Sequence, residues 1–405
     1  MTAIPQALKD LKVIEVGGYA AGPWIGKVLA NYGATVIHIE ASDRPDGFRL
    51  QYPPYRDGKK GINRSGCFSY FNDSKYAVTI DIKKPGGLKL AHRLSDWADI
   101  LIENMRPGVI DRIGLGYNEL KKTNSDLIFL STCNMGQTGP RSATGGFGSQ
   151  LSALAGFCGL TGDAEGSPQL LYGPYIDFVA ALVGAPIILA ALDKRRRTGE
   201  GTFIDIAQYE CGALFLAGPL FDYHTNGNVI ERDTNADPVA APHNAYPCKD
   251  KEWIATSCWN NDEFKLLAEA SGHPEWVQDK KFKDENGRRK NAAALDGLIG
   301  TWTATQAADV AVEALQGAGV RAYKVNTCAD LFTDPQLAHR KAWRVRKHPE
   351  IDYQAHYFPG FDLSDQPGDI TAPAPLLAQD NKIVFREFLG LSEEEYNELE
   401  ENGVF

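Results

Sequence analysis

The sequence has no CxxC pair, no cysteine–histidine cluster with zinc spacing, and no apolar run near the roughly 20 residues of a membrane span. Its seven cysteines (Cys67, Cys133, Cys158, Cys211, Cys248, Cys258 and Cys328) are scattered and odd in number. Such usage does not form a disulfide framework, and no structural metal is expected. The opening stretch MTAIPQALKDLK lacks the continuous apolar core of a signal peptide. The nearest approach to a span, Phe178–Leu192, is short and runs into Lys194, Arg195, Arg196 and Arg197. It reads as a buried helix. Positive charge is also scarce: 42 Lys and Arg against 52 Asp and Glu leave a net charge of −10. With a pI near 5.4, a general field for nucleic acid is excluded, although a small basic site for phosphates is not. The expectation is a cytoplasmic enzyme with neither nucleic-acid nor membrane partners.

Familiar motifs are missing as well. The turn Gly17-Gly18-Tyr19-Ala20-Ala21-Gly22 invites a dinucleotide reading, but the second glycine of GxGxxG falls on Tyr19. There is no P-loop, no GxSxG elbow and no HExxH helix.

What is present is an alternation. Lys12–Val16, Thr35–Ile39, Tyr76–Ile82, Ile100–Ile102 and Leu127–Ser131 read as short buried strands, with helical patterns between them at Pro23–Ala30 and Gly86–Trp97. Strands alternating with helices predict an α/β fold with a parallel sheet covered on both faces, its ligands beyond the strands' carboxyl ends. From Gln150 to Tyr223 the pattern turns helical, broken by a strand at Thr202–Ile206. Residues 224–241 are polar and turn-rich, His243–Ser257 resembles a hairpin, and helices follow around Asp262–Ser271 and Ala304–Gly317. This divides 405 residues into 1–224, a small α+β domain at 225–325, and a tail at 326–405. The tail's last helix, Ser392–Asn402, opens with Ser392 as N-cap and Glu395 completing a capping box.

Two local features carry chemistry. Asp177 ends Tyr172-Gly173-Pro174-Tyr175-Ile176-Asp177, just before the apolar run. It suits a helix N-cap, and that position would also keep a carboxylate ionised and aimed. Arg106 and Arg112 lie in Glu103-Asn104-Met105-Arg106-Pro107-Gly108-Val109-Ile110-Asp111-Arg112, after the fourth strand. They would offer a phosphate positive charge and free amides, or else be solvated surface.

Five segments in this order resemble class III coenzyme A transferases, the family of formyl-CoA transferase and carnitine CoA-transferase. They are Ala21-Gly22-Pro23 with Tyr32-Gly33-Ala34-Thr35-Val36-Ile37-His38-Ile39-Glu40; Glu103-Asn104-Met105-Arg106-Pro107-Gly108 with Arg112-Ile113-Gly114-Leu115; Gly136-Gln137-Thr138-Gly139-Pro140; Asp177 with Ala190-Ala191-Leu192 and Arg197-Thr198-Gly199-Glu200-Gly201; and Leu389-Gly390-Leu391-Ser392. The resemblance implies a large Rossmann-like domain completed by the C-terminal segment, a small domain, and two interlocked subunits. It implies Asp177 as nucleophile and a coenzyme A site at Ala20, Ala21, Asn104, Met105, Arg106 and Arg112. It further implies a glycine-containing loop over the acyl site, acyl-CoA and a free carboxylic acid as substrates, succinyl-CoA as a plausible donor, and no permanently bound cofactor. A heteromer with a homologous subunit is compatible with it.

Three departures stand out: Ala41 where some relatives carry a basic residue, Cys133-Asn134-Met135-Gly136 in place of a glycine-rich wall, and Leu377-Ala378-Gln379-Asp380 near the C-terminus. Two rival readings share the fold. An α-methylacyl-CoA racemase would need an acid and a base, but its histidine falls in register on Phe147 and its aspartate on Gly148. A non-catalytic subunit would have no use for Asp177. Tyr19, Phe147 and Tyr175 would wall the acyl site with aromatic rings if they face it, favouring a bulky or aromatic acid, and otherwise pack in the core.

Overall fold

A computed structural model describes residues 6–405. The first five residues of the stretch judged to lack a signal-peptide core lie outside the described residues. Six strands form one sheet: β1 (Lys12–Val16), β2 (Thr35–Glu40), β3 (Tyr76–Thr79), β4 (Ile100–Glu103), β5 (Ile128–Cys133) and β6 (Thr202–Ala207). All neighbours are parallel, in the order β3-β2-β1-β4-β5-β6. This is the doubly wound order, whose direction reverses between β1 and β4.

The strands read as unbroken apolar runs because both faces are covered. Ile14, Val16, Ile37 and Ile39 point into one core, shared with Leu90 and Leu94. Val13, Val36, Ile100 and Ile102 alternate into the other, shared with Ile25, Leu29, Ala180 and Ile188. Along the chain come α1 (Ala21–Asn31), α2 (Gly47–Leu50), α3 (Gly66–Asn72), α4 (Pro85–Trp97), α5 (Val109–Arg112), α6 (Tyr117–Leu120), α7 (Gly148–Leu154) and α8 (Tyr175–Thr198). Pro23 is tolerated in α1 because first-turn amides have no intrahelical acceptor. Strand β3 stops three residues short of the expected Ile82, and the Asp81 amide bonds the Val404 carbonyl instead. The tail also seals this edge with side chains: Asp380 accepts from the Ala77 amide at 2.8 Å and Asn381 from the Thr79 amide at 3.0 Å. The departure at Leu377–Asp380 therefore has a structural use. The last helix, Glu393–Glu401, opens with the expected reciprocal bonds between Ser392 and Glu395.

Helix α8 corrects the buried-helix reading. Its inner face (Ile176, Val179, Ala180, Ile188 and Leu192 among others) is buried, with Gly184 closing on Ile25. Its outer face is not, since Leu182 is 62%, Ile187 42% and Leu189 46% exposed. Among the described residues it is the one helix long and apolar enough to cross a membrane, by length and composition only.

Contacts divide the chain into two units. The larger comprises the described residues up to 159, with 169–230 and 338–405, and the smaller 160–168 and 231–337. The smaller unit has its own antiparallel sheet of β7 (His243–Pro247), β8 (Trp253–Ser257) and β9 (Arg321–Lys324). Its core is built by Tyr246, Ile254, Phe264, Leu295, Ile299 and Trp302. A helix at Ala292–Thr303 was not anticipated, and the one expected from Ala304 starts at Ala308.

Candidate active site

The sheet order brings the ends of β1 and β4 side by side, so Gly17 and Gly18 meet Asn104. The Asn104 side chain accepts from the Gly18 amide at 3.1 Å and donates to the Gly18 carbonyl at 2.6 Å. Gly17 has φ 146°, and a Cβ there would stand 2.1 Å from Asn104 Oδ1. Asn104 is thus occupied in shaping the loop that leads into α1.

The other expected coenzyme A contacts flank this clamp. Ala20 is the N-cap of α1, which opens without a side-chain cap. Ala20 and Ala21 are buried, so they can meet a ligand only through the helix's opening backbone, a suitable place for phosphate oxygens. Met105 packs its side chain on the core and donates its amide to Glu103 at 2.7 Å. Arg106 and Arg112 are exposed, and among the described residues no hydrogen bond or ion pair occupies either guanidinium. Both cations remain available to a ligand.

Asp177 is the third residue of α8, and Pro174 is the N-cap. The N-cap reading is therefore corrected: the Asp177 amide bonds the Pro174 carbonyl at 3.0 Å, and the carboxylate is left to project. The expectation of full ionisation is also corrected. Burial pushes the Asp177 carboxyl from an ordinary 3.8 to about 7, outweighing its own backbone amide. No cation contributes. Asp177 is half-buried, and a carboxylate short of water and without a countercharge holds its proton more tightly.

The segment Gly145–Gly148 joins these parts. A Cβ on Gly145 would lie 2.9 Å from Arg106 Nη2, and one on Gly148 would lie 2.0 Å from Asp177 Oδ2. Between them the Gly146 carbonyl accepts from the Asn134 side chain at 3.0 Å. The Phe147 ring meets that of Tyr19, centroids 5.7 Å apart. Two members of the expected aromatic wall thus pair beside Asp177. The third, Tyr175, packs on Phe157 instead, at 5.4 Å. Phe147 cannot transfer a proton and Gly148 has no side chain, so neither supplies what a racemase needs there.

A second buried carboxyl went unnoticed in the sequence. Glu103, at the end of β4, accepts from Ser131 and from the Met105 amide, and Gln137 donates to Ser131 at 2.5 Å. Burial raises Glu103 to about 7 against those bonds, and Asp111 and Asp205 add to the rise. It lines a cavity of about 490 Å³ with Asp111, Tyr117, Phe129 and Phe203. Its place in Glu103-Asn104-Met105-Arg106-Pro107-Gly108 was visible, but its bond to Ser131, and that of Ser131 to Gln137, depend on strand register. Among the described residues no group of three or more His, Cys, Asp or Glu side chains is placed to hold a metal.

Comparison with known proteins adds an independent finding. The family model described as CoA-transferase family III matches residues 8–381. The chain is 32% identical over 400 residues to the succinyl-CoA–D-citramalate CoA-transferase of Chloroflexus aurantiacus, covering 99% of this chain and 98% of that one. It is 31% identical over 402 residues to the alpha subunit of the succinyl-CoA–L-malate CoA-transferase of the same species, covering 97% and 91%. A crystal structure of a CAIB/BAIF family protein from Brucella suis matches with a TM-score of 0.87 at 30% identity, covering 95% of this chain and 99% of that one.

Proposed function

The chain belongs to CoA-transferase family III and is a CoA-transferase, and we propose that Asp177 carries the transfer as a covalent nucleophile. The observation behind this is the carboxylate's setting: projecting from the first turn of α8, half-buried against Gly148, and in contact with no cation.

An Asp177 oxygen attacks the thioester carbonyl of the donor. The C–S bond breaks, the coenzyme A thiolate leaves, and a mixed anhydride remains on the enzyme. The thiolate then attacks the aspartyl carbonyl, releasing the donor's acid and leaving an aspartyl thioester. The acceptor carboxylate attacks that thioester, and the thiolate is expelled again. Finally the thiolate takes the new acyl group and frees Asp177. No proton is gained or lost overall. Splitting one exchange into four substitutions is covalent catalysis. A carboxylate is a weak nucleophile, so placement matters: holding it about 3 Å from the carbonyl supplies roughly 7–11 kcal/mol. Gly148 permits that approach, because any side chain there would occupy the space of Oδ2.

Coenzyme A would lie along the ends of β1 and β4, its phosphates on the opening of α1 and on Arg106 and Arg112. The names of the two relatives support succinyl-CoA as donor and a short dicarboxylic acid as acceptor. The Tyr19–Phe147 pair supports a bulkier acid, so both belong in an acceptor panel. The exposed apolar face of α8 supports a second subunit as its cover, the same chain or a homologue. Seven unpaired cysteines support a reducing compartment, in keeping with the cytoplasm.

The test is chemical trapping. Purified protein is incubated with a panel of acyl-CoAs, treated with hydroxylamine, and its peptides are weighed. A hydroxamate at Asp177, absent from Asp177→Asn, is the expected result. No adduct from any donor, together with exchange of α-deuterium, would overturn the proposal in favour of a racemase.

A further inference from the structure

Beside the transfer site stands an acid that the transfer chemistry does not use. Tyr19 has φ 63°, a left-handed conformation unfavourable for a bulky side chain. Asp46 holds it there: both carboxylate oxygens accept from the Tyr19 amide at 3.1 Å, and Oδ1 also accepts from the Phe48 amide at 2.8 Å. The approach is close enough that a Cβ on Gly18 would lie 2.9 Å from Asp46 Cγ. The phenol is fixed as well, donating to Gln51 at 3.1 Å and meeting Phe48 edge-on at 5.3 Å. A Cβ on Gly47 would sit 2.4 Å from the Tyr19 ring.

Asp46 is itself anchored from below. Its amide donates to Glu40 at 2.8 Å, and its Oδ2 faces His38 Nε2 at 3.5 Å. His38 Nδ1 pairs with Glu15 at 3.0 Å, and Lys75 reaches the same Glu15 oxygen at 2.9 Å. Burial opposes a charged imidazole, but the neighbouring carboxylates of Asp46 and Glu15 outweigh it and raise His38 to about 9. Asp46 therefore sits against an imidazole whose charged form its carboxylate neighbours favour. Above, the Tyr19 ring leads through Phe147 to Gly148 and Asp177.

We propose that Asp46 is a positioning residue for acyl-group selection, holding Tyr19 in the conformation that stands its ring against Phe147 as the wall beside Asp177. This rests on Asp177 being the nucleophile. Asp46 touches no reacting atom and acts through Tyr19 alone.

Inactivation by hydroxylamine in the presence of a donor needs no acceptor acid and consumes Asp177 once per enzyme, so its second-order rate constant reads donor preference directly. The ratio of kinact/KI for succinyl-CoA and benzoyl-CoA is measured in the wild type, Asp46→Asn, Tyr19→Gly and the double variant. Glycine takes φ 63° without strain, so Tyr19→Gly removes the ring and the need for Asp46 together. The expected result is a shift of the ratio by roughly tenfold in Asp46→Asn, about the size of one hydrogen bond to a charged group. Tyr19→Gly should shift it in the same direction, and adding Asp46→Asn should change it no further. A uniform fall for both donors in Asp46→Asn, or a further shift in the Tyr19→Gly background, would overturn the proposal. Should Asp46→Asn not fold, Tyr19→Gly and the exposed Phe147→Ala replace it. Their effects on the ratio should then be non-additive, and additive or absent effects would overturn the wall. A wild-type hydroxamate on another residue would instead remove the nucleophile on which the inference stands, and it is seen without any variant.

Discussion

Asp73, wholly buried, and Asp177, half-buried, are two carboxylates whose surroundings drive them in opposite directions. Asp73 is wholly buried, with Lys27 Nζ at 2.6 Å and His356 Nδ1 at 3.4 Å. Burial alone would raise its pKa, but those partners outweigh it and hold it below the usual carboxylate value. Asp177 has burial without partners and rises to about 7. The difference teaches how the chain divides its acids. Where a charge is structural, the fold supplies the countercharge. Where a charge is to form a bond with substrate, a countercharge would stabilise the ground state and weaken the nucleophile, so none is supplied. The clusters of Glu15, His38 and Lys75 and of Glu40 with Arg49 follow the first pattern.

The contrast can be broken from either side. On the catalytic side, Asp177→Asn should lower transfer by at least about 10³-fold, since loss of a covalent nucleophile is not repaired by its neighbours. Steady-state turnover with succinyl-CoA checks this, and a loss under tenfold would sink the assignment. On the structural side, Asp73→Asn strands a buried lysine and should cost about 3–5 kcal/mol in urea unfolding, with activity per folded molecule kept. A loss below about 1 kcal/mol would show the pair to be dispensable.

Subtler changes sharpen the comparison. Gly148→Ala places a methyl where Asp177 Oδ2 now sits. It should lower kcat about 100-fold through misplacement alone, while circular dichroism shows the fold intact. Arg112→Ala should raise KM for acyl-CoA about tenfold with kcat unchanged, as expected for one charge-assisted phosphate contact. The remaining effect is on stability and depends on pH. The folded pKa of Asp177 lies above the unfolded value near 3.9, so the folded state binds its proton more tightly. That contribution is complete below pH 4 and is lost as pH rises through about 7. Asp177→Asn should therefore raise Tm most at pH 8, by about a third as much at pH 5, and hardly at all below pH 4. An equal shift at pH 8 and below pH 4 would show that the carboxyl carries no cost of burial.

The six strands were legible because doubly covered parallel strands are short apolar runs, and β1 lies where its pattern ends at Val16. The Ser392–Glu395 cap was legible because it is local. The helix at Ala292–Thr303 was hidden by Gly297 and Gly300, and it forms because Leu295, Ile299 and Trp302 share one buried face. Asp177 was visible as a residue but not as a position, because Pro174 takes the cap two residues before Ile176. The contacts that make the site join residues far apart in sequence. Asn104 with Gly18, Gly148 with Asp177, and Glu103 with Ser131 are set by strand order and register, which no local pattern contains.

The measurement that bears most directly on an unpaired nucleophile is kcat/KM for succinyl-CoA against pH, which reports the free enzyme. It should rise with pH through a single ionisation near 7, the value to which burial raises Asp177. A profile flat from about pH 5 to 8 would mean the carboxylate is already ionised throughout, as a paired acid would be, and would contradict the account.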